Sequence, residues 1–222
     1  MTFRLLAAAL LAFALAASPA SAAGTLAPLD PCYVSAGRST EQLEDIVVAG
    51  EGFSPIWTVE VLIDGVVVET APTGSIGEFS RVVDAPYRER GERAFTLTVQ
   101  DAGNPATAVS TQSRVTNLAV SMRPRKAAPN RRVSYRGRGF TEPAPVFAHY
   151  LYGGREQRTV RFARHATGPC GTFDVRRRQI PVDGARTGRW LVQVDQKRAY
   201  AAEPDPVWVR LPITVVEVFL EP

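Results

Sequence analysis

Two stretches of this chain, "VAGEGFSP" at residues 48–55 and "YRGRGFTEP" at 135–143, carry the same Gly-x-Gly-Phe-(Ser/Thr) framework at an offset of 87 residues. A framework that returns at domain-sized spacing marks a duplicated unit, and this constrains the fold more than any other feature. Glycines at Gly50, Gly52, Gly137 and Gly139 allow positive φ or close backbone approach where a strand ends and turns. Phe53 or Phe140 then plugs the end of a sandwich. The residue between the glycines is Glu51 in one copy and Arg138 in the other.

The likeness continues beyond the turn. In the first copy Val59, Val61 and Ile63 alternate with Glu60 and Leu62, Asp64-Gly65 makes a two-residue turn, and Val66-Val67-Val68 returns. In the second, "VFAHYLY" runs out, Gly153-Gly154 turns, and "RTVRFA" comes back, so both read as β-hairpins. A Gly-x-x-Gly-x-Phe follows in each, Gly74, Gly77 and Phe79 answering Gly168, Gly171 and Phe173. "AFTLTVQD" then matches "RWLVQVDQ", with Phe95 and Trp190 as core residues. The offset grows along the chain, which places insertions in loops.

About seven short strands per copy, with 17 Gly and 17 Pro and no sustained 3.6-residue apolar period after the first segment, predict an all-β chain. The expected architecture is two tandem immunoglobulin-like β-sandwich domains after an N-terminal signal peptide. The expected boundaries are 1–22 for the signal peptide, 23–117 for an acidic sandwich and 118–222 for a basic one. "SRVTNLAVSMRP" runs from the last strand of copy one into the first of copy two without a Gly/Ser- or Pro-rich linker, which limits the relative angles of the two domains.

The two motif stretches resemble the Val-x-Val-x-Gly-x-Gly-Phe-x-Pro signature of IPT/TIG-type immunoglobulin-like domains of bacterial secreted and surface proteins. The resemblance covers both halves of the chain after the signal segment. It implies a display, spacer or binding role and no catalytic residue. "GPCGTFDVRRRQIPV" with "GRWLVQVDQKRAY" is similar to a domain of secreted actinobacterial proteins, a similarity that implies no activity.

The signal peptide is read from Arg4, the apolar run "LLAAALLAFALAA" and Ala20-Ser21-Ala22, an A-x-A site before Ala23. The run is shorter than the ~20 residues a spanning helix needs, so no membrane span is expected. The expected location is extracellular, including association with the cell envelope.

Charge is divided between the copies. Residues 23–117 hold six Arg and thirteen acids, while 118–222 hold nineteen Arg or Lys and nine acids. Only Lys126 and Lys197 are lysines. Arginine suits bidentate recognition of phosphate, sulfate and carboxylate, and an Ala- and Arg-rich codon usage yields the same bias. Arg123, Arg125, Lys126, Arg131 and Arg132 cluster before the second strand of copy two, and "VRRRQ" puts Arg176 and Arg178 on one face with Arg177 on the other. Arg158 and Arg161, spaced by three, split between faces. Arg123, Arg125, Arg131, Arg132, Arg158, Arg161, Arg176 and Arg178 are the candidate anion-binding residues, with an anionic envelope polymer as candidate ligand through sequence-independent electrostatics. A solvated charged surface, or arginines pairing with the acidic copy of the same or another molecule, explains the same residues. Another protein is thus the other candidate partner, and no specific nucleic acid is expected.

Cys32 and Cys170 are the only cysteines. In an oxidising compartment two cysteines point to a disulfide that would clamp the copies together. In an end-to-end tandem, however, the first strand of copy one and a turn of copy two can lie beyond the ~7 Å reach of a bridge, which would leave Cys170 a thiol in a glycine turn. His149 alternates with Phe147 and Leu151 and reads as a packed strand histidine. His149 and His165, without nearby cysteine or a paired carboxylate, make no zinc signature, and neither a metal nor a cofactor is expected. Gly-x-Ser-x-Gly and His-Glu-x-x-His are absent from the sequence. No catalytic residue is singled out. The expected function is a non-catalytic envelope-binding or structural module; the alternative is an accessory carbohydrate-active or other hydrolase whose carboxylates, for example Asp84, Glu89 or Asp101, spacing does not identify.

Overall fold

The computed structural model describes residues 24–35, 43–202 and 207–215. The expected signal peptide, 1–22, lies outside them. Fifteen strands and no helix occur among the described residues. The first eight are β1 (Thr25–Leu26), β2 (Tyr33–Ser35), β3 (Asp45–Glu51), β4 (Thr58–Ile63), β5 (Val66–Pro72), β6 (Phe79–Asp84), β7 (Glu92–Asp101) and β8 (Asn104–Asn117). They form a sheet of order β1-β3-β6 and a sheet of order β2-β8-β7-β4-β5. The remaining seven are β9 (Ala119–Arg123), β10 (Arg132–Arg138), β11 (Val146–Tyr152), β12 (Arg155–Ala163), β13 (Phe173–Arg178), β14 (Gly188–Asp195) and β15 (Trp208–Val215). Their sheets have orders β13-β10-β9 and β12-β11-β14-β15.

Each set is an immunoglobulin-like sandwich. The second and fifth strands of the fold share the smaller sheet, while the third, sixth and seventh share the larger, so the chain crosses between sheets as the fold requires. In the first sandwich the opening strand is itself split: β1 pairs antiparallel with β3, and β2 then runs parallel to the end of β8, Tyr33 opposite Val115.

Alternation along the strands builds the cores. Ile46 and Val48, then Val59, Val61 and Ile63, then Phe95, Leu97 and Val99 face inward in the first sandwich. Val133 and Tyr135, Ala148 and Tyr150, and Trp190, Val192 and Val194 do so in the second. The two clusters share no residue. Both hairpins close as the sequence predicts: Asp64 (φ 51°) and Gly65 (82°), and Gly153 (57°) and Gly154 (76°), place both turn residues at positive φ, the type I′ signature that matches strand twist.

The duplicated glycine motif and the later Gly-x-x-Gly-x-Phe lock together. The Phe53 amide donates to the Gly77 carbonyl at 3.2 Å, and the Phe140 amide to the Gly171 carbonyl at 3.1 Å. Gly50 and Gly137 lie beneath the rings of Phe79 and Phe173, where a Cβ would fall 2.8 and 2.1 Å from ring carbon. Phe53 then meets Phe79, and Phe140 meets Phe173, each at 5.4 Å between ring centroids. Gly52 and Gly139 take φ of 80° and 88°.

Only Leu118 separates β8 from β9. The Asn117 side-chain oxygen accepts from the Gly91 amide at 2.8 Å and from Arg138 Nε at 2.9 Å, joining the two sandwiches through one amide. Cys32 and Cys170 are bridged across the same junction, with Cα atoms 5.1 Å apart. The objection that an end-to-end tandem separates them is overturned by the split first strand. Because β2 runs beside the last residues of β8, Cys32 is carried to the end of the first sandwich from which the chain leaves. The turn that holds Cys170 lies where it enters the second, the Gly139 amide donating to the Cys170 carbonyl at 2.9 Å.

Candidate anion-binding face

The sequence Arg132-x-Ser134-x-Arg136-x-Arg138 in β10 alternates with Val133, Tyr135 and Gly137, which are buried. Period-2 alternation therefore turns every one of its arginines to the outer face of the three-stranded sheet. Strand β13 adds Asp174, Arg176 and Arg178, and β9 adds Ser121 and Arg123, all exposed. Register brings them into rows: Arg132 stands opposite Arg178, and Ser134 stands between Arg123 and Arg176. In the next row Arg136 lies between Ser121 and Asp174.

Neutralisation is partial and tightest at one end. Arg136 Nε donates to Asp174 at 2.7 Å, and Arg138 is engaged by Asn117. Arg178 lies 3.5 Å from Asp183, a side chain 94% exposed, so that pair is screened by water. No acidic side chain among the described residues is within ion-pair distance of Arg123, Arg132 or Arg176. Like charges directly across strands repel, and an anion placed between them removes that repulsion. Beside these rows a shallow cavity of about 450 Å³ is lined by Ser121, Arg136, Arg138, Thr167, Thr172 and Asp174, hydroxyl donors next to guanidinium.

Four of the eight sequence-predicted arginines, Arg123, Arg132, Arg176 and Arg178, thus share one face. Arg125 and Arg131 lie in the exposed turn between β9 and β10. Arg158 and Arg161 belong to β12 in the other sheet, opposite Tyr150 and Phe147 and on different faces of it. They belong to a different sheet from the arginine rows, although the edge strand β12 touches the edge strand β13, where Arg177 donates to the Phe162 carbonyl. Arg136 and Arg138 were missed, although the alternation that finds them is legible in β10.

A second polar cluster lies on the outward side of β11 and β14. His149 is wholly buried, as are Gln193 and Asp195. His149 Nδ1 is 2.7 Å from Thr159 Oγ1 and 3.3 Å from Glu156 Oε1. Its Nε2 is 3.2 Å from both Asp195 Oδ1 and the Lys197 carbonyl. Gln193 donates to Asp195 Oδ2 and to the Ala201 carbonyl, and accepts from Arg210 Nε at 3.1 Å. Burial pulls the imidazole toward neutrality, but the hydrogen bonds and charges of Asp195, then of Glu156, outweigh it and raise its pKa. Hydroxyl, imidazole and carboxylate are hydrogen-bonded in series, yet His149 presents no surface to a substrate, and the Thr159 hydroxyl donates its proton to Glu156. The cluster pins the segment after β14 across the sheet.

The carboxylates considered for hydrolysis do not converge. Asp84 pairs across strands with Asp45 at the start of β3, whereas Asp101 pairs with neither but closes the opposite end, accepting from the Ser54 amide at 3.2 Å and hydroxyl at 2.6 Å. Glu89 lies 3.6 Å from Arg90 on the surface. No group of three potential metal ligands occurs among the described residues.

No family model matches the chain. No curated protein matches it either. Among solved structures it is similar to the human OSCAR ligand-binding domain, at 10% identity over 85% of this chain and 100% of that one, with a TM-score of 0.35. It is also similar to Dpr2 Ig1-Ig2 in complex with DIP-Theta Ig1-Ig3, at 12% identity over 86% and 64% of the chains and a TM-score of 0.31. A third is the BSP domain of a biofilm associated protein, at 15% identity over 90% of this chain and 30% of that one, with a TM-score of 0.27. The immunoglobulin-like assignment rests on the strand order given above. No helix among the described residues is long and apolar enough to cross a membrane.

Proposed function

We propose that this protein is a secreted, non-catalytic binding module of the cell envelope, built from two folding units, 23–117 and 118–222, of IPT/TIG type. Its ligand is an anionic polymer with repeating phosphate, sulfate or carboxylate groups, held on the outer face of the β13-β10-β9 sheet. The observation that carries this reading is the arginine register: Arg132 opposite Arg178, and Arg123 and Arg176 flanking Ser134. Rows spaced by the ~4.8 Å between strands and ~6.8 Å between same-side residues offer repeated bidentate donors to a flexible polyanion without demanding one ligand geometry. The inter-sandwich disulfide fits an oxidising compartment.

Binding to inorganic polyphosphate and to a poly(glycerol phosphate) chain, followed by fluorescence anisotropy, tests the proposal. Arg176→Glu with Arg178→Glu should weaken binding at least tenfold, while Arg158→Glu with Arg161→Glu should change it less than twofold. Equal losses from both pairs would reduce the effect to net charge and overturn the assignment of the face.

A further inference from the structure

The repeat aligns the arginine face with its counterpart in the first sandwich, and at three of the aligned outward positions the charge is exchanged. Strands β3 and β10 correspond at the offset of the glycine motif, so Asp45 answers Arg132 and Glu51 answers Arg138. Strands β6 and β13 correspond at the offset of their own Phe residues, so Asp84 answers Arg178 and Val82 answers Arg176. Asp45 stands directly opposite Asp84, as Arg132 stands opposite Arg178. Between the carboxylates and Glu51, Val47 and Val82 form an exposed cross-strand pair, 61% and 54% accessible, where the second sandwich has Ser134 and Arg176.

Each face is unfavourable in isolation, one by facing carboxylates and uncovered valines, the other by facing guanidinium groups. Laid on each other, the two like-charge pairs become two opposite-charge pairs, and the aliphatic stem of Arg176 covers the valines. We infer that the outer face of the β1-β3-β6 sheet is a docking surface for the β13-β10-β9 face of a second copy of this chain. A face of three strands and seven residues measures roughly 14 by 24 Å, below the ~800 Å² a side of a standard stable complex. Self-association is therefore weak, steered by charge, and in competition with a polyanion for the same arginines. It goes beyond the proposed function and fails separately from it.

Sedimentation velocity of the intact disulfide-bonded protein at concentrations up to about 1 mM, in about 0.01 M and about 1 M salt, provides the test, since the screening length falls from ~30 to ~3 Å between them. Asp45→Lys with Asp84→Lys gives each face a basic facing pair; Arg132→Glu with Arg178→Glu gives each face an acidic one. The native protein should associate at low salt only, and each variant alone should lose association at least tenfold. An equimolar mixture of the two variants should regain it. Circular dichroism of each variant verifies that it is folded. A native protein that stays monomeric at low salt, or a folded mixture that does not associate, overturns the inference. Polyphosphate binding read in parallel separates the two ideas, because the Asp45/Asp84 variant keeps the arginine face and so keeps that binding.

Discussion

The carbonyl oxygen of Phe53 occupies the space that a side chain on Gly77 would need: a Cβ placed there falls 2.0 Å from it. Gly171 meets the Phe140 carbonyl in the same way at 2.1 Å. Gly77 also has φ of 79°, so Gly77→Ala combines left-handed strain with a collision against backbone that cannot rotate away. We expect a loss of about 3 kcal/mol or more for Gly77→Ala, in the range reserved for severe local damage. Gly65, at φ 82° with open space around it, is the control: Gly65→Ala should cost only about 1–2 kcal/mol. Chemical denaturation of the three proteins measures the difference, and equal losses would remove the lock between the two motifs as its cause.

Ile56 has φ of 53° and is 80% exposed, a β-branched residue in left-handed backbone with little burial to offset it. Its turn is fixed from outside: Thr73 Oγ1 donates to the Ser54 carbonyl at 2.6 Å and accepts from the Trp57 amide at 2.8 Å. Ile56→Asn, which tolerates this conformation, should raise stability by about 1 kcal/mol. An unchanged or lowered melting temperature would contradict it.

The Cys32–Cys170 bridge spans 138 residues of sequence. In the chain-entropy model such a loop contributes about 5 kcal/mol, an upper figure because the sandwiches have separate cores. Reduction should add the mass of two hydrogens, and Cys32→Ser with Cys170→Ser should lower the melting temperature and split one transition into two. A single transition at the native temperature would show that the junction is held without the bridge.

The raised pKa of His149 sets the sign of a pH effect. A group whose folded pKa lies above its unfolded value of 6.5 contributes stability that is fully present below pH 6.5 and is lost as pH rises through the folded value. Stability should therefore decline on going from mildly acidic to mildly basic solution, and His149→Gln should flatten that decline. A variant with the native profile would place the titration elsewhere.

The hairpins, the glycine turns and the inward residues of β4, β7, β10 and β14 are legible in the sequence because each rests on local chemistry or on period-2 alternation. The disulfide is partly legible: two cysteines behind an export signal point to it, but whether they meet depends on the opening strand leaving β3 for β8 after two residues, which Leu29-Asp30-Pro31 does not announce. The arginine face is half legible. Alternation places Arg176 and Arg178 together, but the pairing that sets Arg132 opposite Arg178, 46 positions away, is a property of register. Arg158 and Arg161 belong to the other sheet, an assignment that charge clustering in sequence does not encode. The buried surroundings of His149 likewise come from a segment folding back over the sheet.

The salt dependence of polyanion binding counts the phosphates that the arginine face neutralises. With Arg123, Arg132, Arg176 and Arg178 neutralising phosphates, the plot of log association constant for polyphosphate against log salt concentration should have a slope of about −3, and each Arg→Gln substitution among them should make it shallower by about 0.7–0.9. A native slope near zero, or slopes that remain unchanged when these arginines are replaced, would contradict the account.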